Sequence, residues 1–167
     1  MTLSEFNSFP EKAAFEALFA CCGSTKWAMQ LAAQRSFSSV LDLKNASDSL
    51  WNDTNESDWL EAFTHHPKIG DTESLKKKFA STAEWASSEQ SSVKSAGMEV
   101  LENLAKGNHD YEQKFGFIFI VCATGKSASE MLDLLQDRLP NSRKEELKIA
   151  AIEQHKITNL RIDKLFI

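Results

Sequence analysis

Three ionisable side chains interrupt stretches that otherwise pattern as inward helical faces: His66, Glu89 and Arg161. Charged groups are seldom fully buried unless they are paired or functional. His66 follows Trp59 and Phe63 at i+7 and i+3, so a helix ending there sets its imidazole on the same face as both rings. Histidine exchanges protons near neutral pH, and a helix C-terminus favours its protonated form. Glu89 lies four residues from Trp85 and four from Val93. A carboxylate between such neighbours is partly desolvated, which would tend to raise its pKa. Gln90 beside it adds two donors and an acceptor. Arg161 belongs to the stripe Leu147, Ala150, Ala151, Gln154, Ile157 and Leu165. Its guanidinium suits a planar anionic or amide partner. An acid/base group, a carboxylate and an anchor of this kind serve proton transfer and electrostatic chemistry. Each also has a structural alternative: a satisfied histidine, a wet face in the serine-rich run 87–92, and an internal salt bridge or dipole contact for Arg161.

The histidine sits in His65-His66-Pro67-Lys68-Ile69-Gly70-Asp71. Pro67 disfavours helical geometry at the residue before it, so a helix should stop at His66. His65 then points away from the inner face, toward the surface. The elements that must position these groups read as all-α: a single-domain helical bundle over residues 1–167, with one short extended apolar segment near 115–123. Pro10 opens a helix through Phe15, Leu18 and Phe19 that ends near Gly23. Ser24 or Thr25 caps the next, through Trp27, Leu31 and Ala32. Val40, Leu43, Leu50 and Trp51 mark a third, and Glu56 to His66 a fourth. Leu75 and Phe79 continue the helical period. Ser81 or Thr82 can cap a long segment through Trp85, Val93, Met98, Leu101 and Leu104, with a break expected at Gly107-Asn108. Phe115 to Ala123 is a continuous apolar run rich in β-branched and aromatic residues, so it reads as a short strand or extended segment. A lone strand has no ladder, so its backbone groups need other partners, a ligand being one. Ser127 caps a helix to Leu139, and Asn141 or Ser142 caps the last one, to about Leu165.

Composition narrows the class. The net charge of −5 and the lack of a basic cluster argue against nucleic acid as a partner. The run Lys76-Lys77-Lys78 reads as a solvated face. No apolar stretch approaches the ~20 residues that span a bilayer. Met1 to Pro10 lacks a secretory pattern, and the last residues are not a peroxisomal address. Cys21, Cys22 and Cys122 lack metal-type spacing and read as reduced thiols, which suggests a cytoplasmic protein. His109 and His155 are isolated, the latter expected in solvent. Di-iron, zinc, phosphate-loop and nucleophile-elbow patterns are absent from the sequence. The expected chemistry uses neither a metal nor an organic cofactor.

Taken in order, several pieces resemble the OHCU decarboxylase family, which acts last in the oxidation of urate to allantoin. They are His66-Pro67 within the heptapeptide, Glu89-Gln90, Tyr111 followed by Phe115-Gly116-Phe117-Ile118-Phe119, Arg138-Leu139, and Leu160-Arg161-Ile162. The resemblance covers nearly the whole chain. It implies an all-helical, cofactor-independent and usually homodimeric enzyme acting on 2-oxo-4-hydroxy-4-carboxy-5-ureidoimidazoline. It implies a catalytic role for His66, with Glu89 and Arg161 as the other key polar residues. It also implies substrate contacts at Pro67, Ala86, Ser87, Ser88, Gln90, Phe119, Ile120, Val121, Cys122 and Ala123. Ala86 stands where many relatives have Ser, and Ser91-Ser92 where many have Ala-Gly. The first change removes a hydroxyl that Ser87 or Ser88 could replace. Two other readings fit the same composition: a non-catalytic helical interaction module, and a helical hydrolase or lyase of a related ureide.

Overall fold

A computed structural model of the chain describes residues 1–66, 72–79 and 91–166, and the side chains of these except 78, 79 and 91–96. The described residues are helical or irregular, with no strand among them. Chain packing divides them into two compact units, Met1–His66 with Leu147–Ile167, and Pro67–Glu146.

The first unit holds α1 (Leu3–Asn7), α2 (Glu11–Cys22), α3 (Thr25–Ala33), α4 (Val40–Asn52), α5 (Glu56–Thr64) and most of α9 (Arg143–Leu165). Pro10 precedes α2 with φ −54, a value proline supplies for a helix start. Gly23 ends α2 in the left-handed region at φ 84 and donates its N–H to the Phe19 carbonyl. A Cβ there would come 2.7 Å from the His65 Cβ, so the turn needs glycine for both conformation and space. Ser24, Ser39 and Asn55 cap α3, α4 and α5 with their side-chain oxygens. Phe6, Leu18, Trp27, Leu31, Leu43, Phe63 and Ile162 form the fully buried core of this unit. Two indoles tie helices together: Trp27 Nε1 donates to the Ser47 carbonyl and Trp51 Nε1 to the Ala151 carbonyl, each at 3.2 Å.

The second unit holds α6 (Thr72–Phe79), α7 (Ser91–Phe115), α8 (Ala128–Arg138) and the start of α9. Leu75, Leu101, Leu104, Met131, Leu132 and Leu135 make its core. The break expected at Gly107-Asn108 does not occur, since α7 runs through both residues. A Cβ at Gly107 would lie 2.5 Å from Leu135 Cδ2. The glycine lets α8 approach α7, and the packing outweighs its roughly 1 kcal/mol helix penalty. Gly116, at φ 80, ends α7. Residues 116–127 then cross irregularly to α8, so the apolar run is not a strand.

Candidate active site

Helix α5 delivers His66. The helix stops at Thr64, two residues short of the expected end, with His65 as its C-cap. His66 still donates its N–H to the Phe63 carbonyl at 3.2 Å, a tightened final turn consistent with the proline that follows. His65 is exposed, yet its ring packs edge-on against Phe19 at 4.7 Å and covers Gly23. His66 is half-buried, and its Nε2 lies 2.5 Å from Gln154 Oε1.

Gln154 is wholly buried. Its Nε2 donates to the Cys22 carbonyl at 3.3 Å and to Thr158 Oγ1 at 3.2 Å. Thr158 in turn donates its hydroxyl to the Gln154 carbonyl at 3.0 Å. One further turn along α9, Arg161 Nη1 donates to the Cys21 carbonyl at 3.2 Å. The final turn of a helix leaves carbonyls without intrahelical partners and carries partial negative charge. An amide and a guanidinium from α9 therefore satisfy the end of α2. Gln154, Thr158 and Arg161 recur at i, i+4 and i+7, which aligns them on one face. His66 and Arg161 are thus brought to the same corner of the first unit. Beside them, burial pushes the thiols of Cys21 and Cys22 up to about 11, against an opposing pull from Arg161.

Pro67, Ala86, Ser87, Ser88, Glu89 and Gln90 lie outside the described residues. In the second unit, Ile120 is buried while Phe119, Val121, Cys122 and Ala123 are half-buried. Two carbonyls of this segment already have partners within the protein. Arg138 Nη1 donates to the Ile120 carbonyl at 2.8 Å, and Lys126 Nζ to that of Cys122 at 3.0 Å. Side chains thereby supply part of what a strand ladder would have provided. Arg138 also donates from Nε to Glu146 Oε1 at 2.6 Å and from Nη2 to Tyr111 Oη at 3.2 Å. Tyr111 donates its hydroxyl to the same carboxylate, and Asn141 donates to Glu146 Oε2 at 2.9 Å. Burial, with Glu146 adding to it against Arg138, holds the Tyr111 hydroxyl well above its ordinary pKa. The hydroxyl therefore remains a donor. The guanidinium lies over the Phe119 ring at 4.6 Å, so one arginine grips the segment by a carbonyl and by a ring face.

Sequence reasoning did not find Gln154 or the Arg138–Glu146–Tyr111 cluster as site-building residues. Gln154 had a signal, being a polar residue inside an apolar stripe. Glu146 had none, because the first turn of α9 reads as an ordinary acidic helix start. His155 was expected in solvent. Its Nε2 instead lies 2.7 Å from Asp48 Oδ1 and its ring stacks on Trp51 at 5.9 Å, because the indole face covers it. Among the described residues, no three His, Cys, Asp or Glu side chains are grouped to hold a metal ion.

A family model for OHCU decarboxylase matches residues 7–163. The uric acid degradation bifunctional protein TTL of Arabidopsis thaliana is 42% identical over 148 residues, covering 87% of this chain and 45% of that protein. The chain therefore spans less than half the length of that relative. The 2-oxo-4-hydroxy-4-carboxy-5-ureidoimidazoline decarboxylase of Haloferax volcanii is 26% identical over 167 residues, covering 99% of this chain and 96% of the other. A crystal structure of an OHCU decarboxylase in the presence of (S)-allantoin superposes with a TM-score of 0.70 at 36% identity, covering 95% of this chain and 99% of that one. A crystal structure of an (S)-allantoin synthase shares the fold, with a TM-score of 0.72 at 18% identity, over 100% of this chain and 54% of the other.

Proposed function

The chain belongs to the OHCU decarboxylase family, and from that premise we propose that it converts 2-oxo-4-hydroxy-4-carboxy-5-ureidoimidazoline to (S)-allantoin in urate degradation, as a carboxy-lyase without a cofactor. The observation that carries this reading is a half-buried imidazole at the end of α5, held by a fully buried amide, in the corner that also receives Arg161.

The substrate has a carboxylate and a hydroxyl on one ring carbon, next to a C=N bond. When the bond to the carboxylate breaks, its electron pair forms a C=C bond and the C=N pair shifts onto nitrogen, which takes a proton. CO2 leaves, the hydroxyl loses its proton to become a carbonyl, and the neighbouring carbon takes a proton. The electron sink is part of the substrate. The protein has to orient it, exclude water and move protons. His66 is the acid/base group at the reacting carbon. Glu89 orients the substrate, and its charge near the departing carboxylate favours CO2 loss. Arg161 anchors ring or carboxylate oxygens; its planar fork carries five donors, so it can serve a ligand while holding the Cys21 carbonyl. The family resemblance supports substrate contacts at Pro67, at the residues around Glu89 and at Phe119–Ala123. Delivery of the proton to one face gives the S enantiomer.

A cytoplasmic homodimer completes the reading. The family resemblance supports the dimer, which sedimentation of the purified chain tests. The three free cysteines support a reducing compartment. No helix among the described residues is long and apolar enough to cross a membrane.

The deciding assay generates the unstable substrate in situ from urate and follows optical activity. Fast appearance of one allantoin enantiomer is expected. Slow racemic product would mark an interaction module, and ureide cleavage without decarboxylation would mark a hydrolase.

A further inference from the structure

We propose that Gln154 is a positioning residue that holds neutral His66 as its Nε2–H tautomer, so that Nδ1 is the nitrogen that exchanges a proton with the substrate. This rests on the reading of His66 as the acid/base group.

A primary amide has two N–H donors and one carbonyl oxygen. Both donors of Gln154 are committed, one to the Cys22 carbonyl at 3.3 Å and one to Thr158 Oγ1 at 3.2 Å. The Cys22 carbonyl can only accept. The Thr158 hydroxyl spends its own proton on the Gln154 main-chain carbonyl, so toward the amide it too can only accept. Turning the amide over would set its oxygen against the Cys22 carbonyl, two acceptors face to face, in a site from which water is excluded because Gln154 is wholly buried. That arrangement leaves a buried donor and acceptor unsatisfied and costs about 1–3 kcal/mol for each. The orientation is therefore set, and Oε1 is the atom that meets His66 Nε2 at 2.5 Å. An acceptor on that nitrogen requires a proton there. A neutral imidazole carries one proton, so the lone pair resides on Nδ1.

The consequence is directional. The imidazole is fixed at the end facing α9 by an amide that is itself anchored to the C-terminus of α2. Its basic nitrogen is the one on the opposite side of the ring. An acid/base histidine held in one tautomer presents the right nitrogen on every encounter.

The test reads the tautomer directly. In the 15N-labelled full chain, at a pH where His66 is neutral, a long-range proton–nitrogen correlation spectrum should show the proton on Nε2 and the lone pair on Nδ1. Gln154→Met, which keeps length but removes the acceptor, should turn this into a mixture of tautomers. With the in situ substrate it should lower kcat about 10-fold or more, with KM changed less. A wild-type ring protonated on Nδ1 overturns the inference, as does a spectrum that Gln154→Met leaves unchanged. If the variant does not fold, the wild-type spectrum alone decides. Because the tautomer is read without turnover, a correct tautomer combined with full turnover in His66→Asn would reject the catalytic role of the histidine, not the tautomer.

Discussion

Replacing His66 with asparagine retains a donor toward Gln154 but removes the group that titrates near neutral pH. For His66→Asn, turnover of the in situ substrate should fall by about 10²–10⁴-fold, the range a positioned acid/base group contributes. Near-full turnover with intact stereoselectivity would remove histidine from the mechanism. Glu89→Gln should lower kcat strongly with a smaller effect on binding, and an unchanged kcat would sink the role of the carboxylate. The neighbouring thiols give a readout of the same corner. Cys21 and Cys22 are buried, with pKa raised from 9.0 to about 11, so at pH 8 both are neutral and sheltered. Mass spectrometry should find them unmodified by iodoacetamide in the native chain and modified after urea unfolding. The sign of their pH dependence follows from the raised folded pKa. Their contribution to stability is complete below pH 9.0 and is lost as pH rises toward about 11. Cys22→Ala should flatten that alkaline loss in denaturation midpoints; an unaltered slope would contradict it.

At the level of the helices, the starts are written in local chemistry. Thr2 with Glu5, Ser127 with Glu130, and Ser142 with Glu145 form reciprocal pairs, each acidic side chain accepting the N–H of the capping residue at 2.7 to 3.0 Å. Hydrogen bonds from those caps lower the pKa of Glu5, Glu130 and Glu145 below the ordinary 4.5. A depressed folded pKa gives stability that is present above 4.5 and is lost as pH falls through the depressed values. Thermal midpoints should therefore drop from pH 5 to pH 3, and Glu130→Gln should reduce the drop. A midpoint unchanged over that range would show that the caps do not carry it. Such pairs lie three residues apart, which is why Ser127 and Ser142 were legible in the sequence as caps at the starts of α8 and α9. Gly107 was misread because a glycine that stops a helix and one that admits a neighbour look alike without the neighbour, here Leu135.

Across the whole molecule, α9 serves both units: it carries Glu146 in the second and Gln154 and Arg161 in the first. The Arg138–Glu146 pair is nearly dry, with side-chain exposures of 9% and 0%, so each charge depends on the other. Arg138→Met should cost about 3–5 kcal/mol, because it leaves a buried carboxylate without its cation. It should also loosen Phe119–Ala123, which loses the hydrogen bond to Ile120 and the stacking on Phe119. Urea denaturation together with amide exchange at residues 119–123 measures both effects; a loss below 1 kcal/mol with exchange unchanged would show that the guanidinium does not support the segment. By itself, the sequence determined the all-helical class, most helix starts and the family. It also placed His66 and Arg161 on inward faces, because period, caps and the residue before proline act over a few positions along the chain. Only the tertiary structure decided which partner each buried polar group takes: Gln154 for His66, 88 residues away, and Ile120 and Glu146 for Arg138. A buried donor must find an acceptor wherever folding brings one, and no local periodicity encodes that choice.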